Sequence, residues 1–296
     1  MKLIIFFSII YLPISLLGQE HQFLPKWKEG EMKTISSERK TQFYANDSLM
    51  GERSVKNEYS IKVLKENKDH YEIDIYIDNI ALTRFNEYLQ SESDLILMYK
   101  TVTLNYLVDK KTGDKTLSNW DEVSKLYKES MNYFSSIIDD EDPESYKLDF
   151  HEISVLSKSI EEFNVYFSNN YVDIFILYNK PLQVGEIYTE IDSIAHPFTP
   201  RGMTLQTKEF AIESIIPEKN ICNVSINYDI DLNETKKLNS RQGPNEDRVI
   251  TMDQNHKIKY NMKSHWIETI DISATLTVSD SRGKKHQLIT KTVSIK

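Results

Sequence analysis

Seven histidines are the side chains in this sequence best suited to metal or acid–base chemistry, and they are dispersed: His21, His70, His151, His196, His256, His265 and His286. His151-Glu152 is followed by Val155 where a zinc protease motif needs a second histidine. His256 and His265 could face each other across a hairpin, but the sequence places no carboxylate with them. We therefore predict no metal site and no cofactor.

Cys222 is the only cysteine. A single cysteine excludes an intramolecular disulfide and a cysteine-based zinc site. It stands among alternating strand residues, which is typical of a small buried hydrophobe. The sequence has no Gly-x-Ser-x-Gly motif, and its eight glycines do not form a phosphate-binding loop. No catalytic residue is predicted on these grounds.

Paired carboxylates are the one enzymatic option that composition leaves open. Glycoside hydrolysis needs only two suitably separated acids, and the chain has 45 Asp and Glu residues. Trp120 beside Asp121-Glu122 and Trp266 near Glu268 come closest to a sugar-binding platform. Trp120 is predicted to pack at a helix start, and Trp266 to lie in the core or at its rim. A carbohydrate-active hydrolase is therefore the third of three functional hypotheses.

Alternation of apolar and polar residues dominates the chain and predicts antiparallel strands with one buried and one solvated face. The clearest alternating runs are 71–78, 102–108, 224–232 and 270–278. Turn residues at 66–69, 111–114, 217–220 and 281–283 separate such runs at short intervals. The sequence therefore predicts hairpins and a mostly β (α+β) fold.

The middle of the chain breaks this pattern and predicts a helical insert at 118–178. Ser118 stands three residues before Asp121, as in a helix N-cap. Apolar residues then recur at helical spacing over 123–138 and again over 153–171. The acidic joint 139–144 lacks the glycine of a calcium loop, so we interpret it as a solvated linker. Two to three helices are expected.

A short similarity suggests that two related halves flank this insert. Trp27–Lys33 resembles Leu182–Tyr188, since each segment places Gly-Glu just before a predicted strand. Tyr59–Asp78 also aligns loosely with Phe210–Asp231. We therefore expect residues 19–296 to form a single β-rich domain made of halves at about 27–117 and 182–296.

The first 18 residues have the pattern of a signal peptide. Lys2 precedes the uncharged run 3–17, and Gly18 offers a small residue at the cleavage point. The run is shorter than a membrane span and is interrupted by Pro13. We therefore expect export to the periplasm or exterior of a bacterium, with no stable membrane span after cleavage. The net charge of −9 argues against nucleic acid as a partner.

Two motifs resemble known proteins. Val184-Gly185-Glu186-Ile187-Tyr188 is similar to a strand start in exported bacterial β-proteins, as is the late hairpin from Tyr260 to Trp266-Ile267. With helices set against an antiparallel sheet, residues 27–296 resemble the open half-barrel of lipoprotein carriers. The resemblance implies a curved sheet whose concave, apolar face is partly covered by helices and holds acyl chains. It implies no catalytic residue.

Three functions are therefore expected in order. The first is a non-catalytic binding module of the cell envelope that holds an apolar or lipid-like ligand on the concave face. The second is a structural or protein-interaction component of the envelope with a filled core. The third is the hydrolase. Helices that close the sheet face, together with an exposed apolar patch, would favour the second function over the first. The sequence assigns no ligand-binding residue.

Overall fold

The computed structural model describes residues 20–77, 102–137, 159–160, 163, 174–195, 203–230, 249–280 and 283–296. These residues are mostly strand, which confirms the expected mostly β class. The predicted signal peptide 1–18 and the acidic joint 139–144 lie outside them.

The described elements are bounded as follows. The strands are β1 Glu20–Gln22, β2 Met32–Ala45, β3 Ser48–Glu66, β4 His70–Ile77, β5 Val102–Asp109, β6 Lys115–Leu117, β7 Pro181–Gln183, β8 Ile187–Ala195, β9 Met203–Ile216, β10 Ile221–Ile230, β11 Val249–Asn261, β12 Trp266–Asp280 and β13 Gly283–Ile295. One α-helix, α1, spans Trp120–Ile137, and a 3-10 turn spans Pro217–Lys219.

Eleven of these strands form one antiparallel sheet in the order β6-β5-β4-β3-β2-β13-β12-β11-β10-β9-β8, and β1 pairs separately with β7. Neighbouring strands of the eleven-stranded sheet are consecutive in the sequence, except where β2 pairs with β13. The hairpins expected from the turn residues are confirmed for β3–β4 and β9–β10. Strands β6 and β8 end the order on its two sides.

The expected two- to three-helix insert is not supported. Only α1 has the bounds of a helix there. Ile160 and Phe163 are also helical, but the second apolar stripe, 153–171, otherwise lies almost wholly outside the described residues. The helix also begins differently from the expected Ser118 cap. The Asn119 carbonyl accepts the first helical hydrogen bond, from Val123 N at 3.1 Å, while the Ser118 hydroxyl donates to Asn105 O at 2.9 Å. The hydroxyl that was expected to cap the helix is therefore hydrogen-bonded to strand β5.

The described residues fall into two compact units. The first, here called the helical unit, comprises the described residues within 24–35 and 58–178. Its core is centred on Trp27, whose ring centroid lies 5.4 Å from Tyr71, 6.0 Å from Phe175 and 5.8 Å from Tyr178. Such tilted and edge-to-face contacts add to the hydrophobic burial of large rings. Gly113, with φ +72°, is needed here because a Cβ would lie 2.5 Å from that of Tyr178.

The second, here called the long-strand unit, comprises the described residues within 1–23, 36–57 and 179–296. Cross-strand partners share one face of a sheet. Val224, Ile258, Ile270 and Val293 are successive partners across β10–β13 and are at most 2% exposed. This continuous apolar row is the centre of the unit's core.

Candidate functional site

At the end of the sheet formed by β8, the most exposed apolar side chains lie on β8 and its neighbour β9. Ile187 and Ile191 are 65% and 67% exposed, and Leu205 on β9 is 49% exposed. The two isoleucines share a face because they are four residues apart on a strand. Leu205 pairs with Ser193, which lies on that same face. We call Ile187, Ile191 and Leu205 the β8 patch.

The opposite face of β8 is anchored by charge pairs and an aromatic contact. Glu190 forms an ion pair with Lys180, and Asp192 forms one with Lys208. The Tyr188 ring centroid lies 5.9 Å from that of Phe210. Burial, and then the charge of Glu190, raise the pKa of Tyr188. These contacts fix which face of β8 carries the exposed isoleucines.

The start of β8 is set by a tight turn at Gly185. Glu186 N donates to Gln183 O at 3.3 Å, and Gly185 adopts φ +84° at the third position of the turn. Positive φ at that position is the signature of a type II turn and favours glycine. Val184 also forms an isolated bridge with Ile212 of β9. The glycine turn therefore holds the first residue of the β8 patch at the edge of the sheet.

The two histidines that could have faced each other are not brought together. His256 pairs with Ile272 in the β11–β12 register, and its ring bonds Tyr228 Oη at 3.0 Å. The His265 ring instead contacts Tyr260 Oη at 3.1 Å. His151 and His196 lie outside the described residues. Within the described residues, no group of three or more His, Cys, Asp or Glu side chains is arranged to hold a metal ion.

Cys222 is buried, as its place in an alternating strand indicated. Burial raises the pKa of its thiol to about 11. A thiol in this environment is protonated at neutral pH and is a poor nucleophile.

Neither tryptophan near candidate acids forms an open sugar platform. Trp266 is 2% exposed, and the Trp120 ring packs 5.5 Å from that of Phe163. Hydrogen bonds from Lys259, at 2.6 Å, and Asn261, at 2.8 Å, lower the pKa of Glu268. A carboxylate held in its charged form is unsuited to act as the general acid of glycoside hydrolysis.

Asp74 is the buried carboxylate of the residues described here. Its oxygens accept hydrogen bonds from Tyr76 Oη, at 2.9 Å, and from Asn105 Nδ2. Asn119 joins the same network by accepting from Asn105 N at 2.9 Å and donating to Thr103 O at 2.9 Å. This network connects β4 and β5 to the start of α1, which is a structural role.

No protein-family model matches this chain, and no curated protein matches it in sequence. Among solved structures, the chain is similar to the crystal structure of Ail, the attachment invasion locus protein of Yersinia pestis. The identity is 5% and the TM-score 0.17, over 91% of this chain and 100% of that chain. A TM-score this low carries no argument about fold or function. The expected resemblance to lipoprotein carriers finds no support in these similarities.

Of the helices that the structure describes, none is both long enough and apolar enough to cross a membrane.

Proposed function

We propose that this chain is an exported, non-catalytic interaction component of the bacterial envelope, and that an extended segment of another envelope protein binds along β8. The β8 patch is the observation that carries this proposal. Its two isoleucines are about two-thirds exposed, on a strand that ends the sheet order. Edge strands can add a further strand through backbone hydrogen bonds, and alternate apolar side chains then give specificity.

The negative charge of the chain and of β8 favours a different protein, and not a second copy of this chain, as the partner that binds along β8. The chain carries a net charge of −9, and the anchored face of β8 holds Glu190 and Asp192. Antiparallel pairing of two β8 strands would bring these acids near their own copies, which is unfavourable. We therefore propose a partner strand with apolar residues at alternate positions and basic or neutral residues between them.

Coverage of the sheet face supports an interaction component over an apolar-ligand carrier. In the helical unit, Leu104, Tyr106 and Val108 of β5 are at most 2% exposed. Helix α1 buries Val123 and Tyr127, and the Tyr127 ring lies 5.9 Å from that of Phe163. A ligand pocket needs an apolar surface that the protein's own side chains leave uncovered. Here the helix and strand residues cover each other.

Export and the two-halves arrangement belong to the same proposal. Export is supported by the basic start, apolar run and small exit residue of 1–18. The halves at 27–117 and 182–296 are supported by similar glycine turns, since Gly30 and Gly185 have φ +80° and +84°.

Site-specific photo-crosslinking tests the docking edge. A benzophenone amino acid at position 191 should crosslink to one discrete envelope protein in the cells that produce this chain. The matched control carries the same group at position 257, an exposed lysine on β11. Absence of an adduct at 191, equal adducts at both positions, or an adduct of twice the chain mass would contradict the proposal.

Native mass spectrometry distinguishes the apolar-ligand function. The chain purified from the envelope and extracted with solvent should show its own mass alone. A stoichiometric lipid adduct would replace the interaction proposal with the carrier function.

A further inference from the structure

Exposed apolar side chains are grouped around the turn between β2 and β3 in the long-strand unit. Leu49 and Met50, near the start of β3, are 53% and 70% exposed, and Phe43, near the end of β2, is 37% exposed. We call Phe43, Leu49 and Met50 the apolar tip. Single exposed apolar residues are common on protein surfaces, but a group of them marks an interaction site.

The turn that carries the apolar tip is held by the neighbouring strand β13. Asn46 N donates to Lys284 O at 2.8 Å, and Lys284 N donates to Asn46 Oδ1 at 3.0 Å. Asn46 and Asp47 adopt φ +46° and +62°, as the two central residues of a type I′ hairpin turn do. The apolar tip therefore projects from a turn that hydrogen bonds fix to β13.

The apolar tip has exposed side chains on both faces of the sheet. Leu49 and Met50 are consecutive in β3, so their side chains point to opposite faces. A protein that packs on one face of the sheet covers only one of these two side chains. A lipid layer that the tip enters end-on surrounds both, since the boundary of headgroups and acyl chains accepts apolar side chains from all sides.

Positive charge accompanies the apolar tip, although the chain as a whole has a net charge of −9. Lys284 and Lys285 are exposed and, as consecutive strand residues, also point to opposite faces. Asp47 in the turn is exposed and opposes them with one negative charge. Glu52, the next carboxylate along β3, is paired with Lys40 at 2.9 Å. The described side chains around the turn therefore favour a negatively charged surface.

We propose that the apolar tip enters the surface layer of a membrane that contains anionic phospholipids, with Lys284 and Lys285 at the lipid phosphates. Burial of the apolar side chains supplies affinity for the layer, and the two ammonium groups favour negatively charged headgroups. The hydrocarbon stem of a lysine can lie along apolar surface while its ammonium group stays in the polar layer. The β8 patch lies on other strands, so this proposal does not depend on it.

Vesicle flotation of the chain purified from the envelope tests this proposal. Vesicles of phosphatidylcholine that contain phosphatidylglycerol should carry the chain upward, and vesicles of phosphatidylcholine alone should carry much less of it. Added salt should weaken binding to the anionic vesicles, because it screens the attraction of the lysines. No binding to the anionic vesicles, or equal binding to both kinds, would overturn the proposal.

Three sets of substitutions separate the contributions of the apolar and charged side chains. Leu49→Ser combined with Met50→Ser should raise the half-saturating lipid concentration at least about tenfold, because apolar area is no longer buried in lipid. Lys284→Gln combined with Lys285→Gln should also raise it about tenfold or more for the anionic vesicles. Asp47→Asn should lower it, because the opposing charge is removed and asparagine accepts the positive φ at this position.

A matched control comes from the β8 patch. Ile191→Ser changes a side chain about as exposed as Met50, 67% against 70%, and should leave vesicle binding unchanged. Thermal unfolding checks that every variant is folded. If the serine variants at 49 and 50 bind the anionic vesicles as tightly as the wild type, the proposal is wrong. A benzophenone amino acid at position 50 that crosslinks to a protein and not to phospholipid would instead assign the apolar tip to a protein partner.

Discussion

Two glycine turns, one in each compact unit, have the same local structure, but the strands that follow them have different neighbours in the sheet. In the helical unit, Gly30 N donates to Val63 O and Val63 N donates to Glu31 O, both at 2.8 Å. In the long-strand unit, the turn at Gly185 is held by the bridge between Val184 and Ile212. Each turn thus binds the second strand that follows it, β3 or β9.

A β-bulge comes directly after the bound residue in both places. Val63 and Lys65 face consecutive residues of β4, so Leu64 is the extra residue. Ile212 and Ser214 face consecutive residues of β10, so Glu213 is the extra residue there. A bulge bends the strand and increases its twist.

The surroundings of the strands that follow the two turns differ. Strand β2, after the Gly30 turn, is hydrogen-bonded on both sides, by β3 and β13. Strand β8, after the Gly185 turn, is paired with β9 at the end of the sheet order. The first residues of both strands, Met32 and Ile187, are more than half exposed. The comparison teaches that exposure of the first residue does not depend on sheet order, and that the end position of β8 adds a strand edge beside the β8 patch.

The residues that precede the two turns should give the largest effects. Trp27 and Leu182 occupy equivalent positions and are each 1% exposed. Trp27→Ala should lower the free energy of unfolding by about 3–5 kcal/mol, and Leu182→Ala by about 2–5 kcal/mol, because each leaves a cavity. Denaturant unfolding of both variants measures this. A loss below 1 kcal/mol for either would contradict the equivalence of the two turns.

Acid should destabilise the long-strand unit through His256. Its pKa is about 3 in the folded protein against 6.5 for an unperturbed histidine. The unfolded chain binds a proton in this interval and the folded chain does not, so stability falls as the pH drops below about 6.5, by about 1.4 kcal/mol per pH unit. In His256→Gln this contribution should disappear. The free energy of unfolding of the wild type and of His256→Gln, measured between pH 7 and about 4, tests this prediction. Parallel pH profiles of the two proteins would refute a contribution from His256.

Substitution of either glycine tests whether the two turns contribute equally to the stability of the folded protein. A Cβ at Gly30 or Gly185 would meet no atom within 4 Å, so backbone strain is the expected cost. Gly30→Val and Gly185→Val should each lower stability by about 1–3 kcal/mol, since a β-branched residue is strained at positive φ. Thermal unfolding measures both. Unchanged stability in Gly185→Val would show that the turn does not need its special conformation.

The smallest effect on stability is expected at the β8 patch. Ile191→Lys should change the free energy of unfolding by no more than about 0.5 kcal/mol, because the side chain is 67% exposed. The same substitution should abolish crosslinking of the partner from position 187. If the folded variant still crosslinks to the partner, the β8 patch is not needed for partner binding.

The alternating pattern was sufficient to predict strands but not their partners. The runs at 71–78 and 102–108 became β4 and β5, and turn residues marked the hairpins. Pairing of β2 with β13 was not predictable, because register between distant strands depends on the whole sheet. Ser36 and Ser294 meet only through that pairing, so the sequence carried no signal for their hydrogen bond.

The β8 patch was partly visible in the sequence. Ile187 and Ile191 alternate with Tyr188 and Glu190, which predicts a strand with two different faces. Which face is exposed depends on contacts of the opposite face, such as the ion pair of Glu190 with Lys180 and the ring contact of Tyr188 with Phe210. The helical insert was harder still, since helical spacing predicts an amphipathic helix but not how it begins or what it covers.

The contact between β2 and β13 also constrains when the chain can fold. Ser36 bonds Ser294 across 258 residues of sequence, and Lys284 N donates to Asn46 Oδ1 across 238. Contacts between residues this distant in sequence raise contact order and slow folding. While the chain is being synthesised, β2 has no partner on one side until β13 emerges. Folding is therefore expected to finish only after β13 has been synthesised. Until then, the side of β2 that later pairs with β13 requires protection from aggregation.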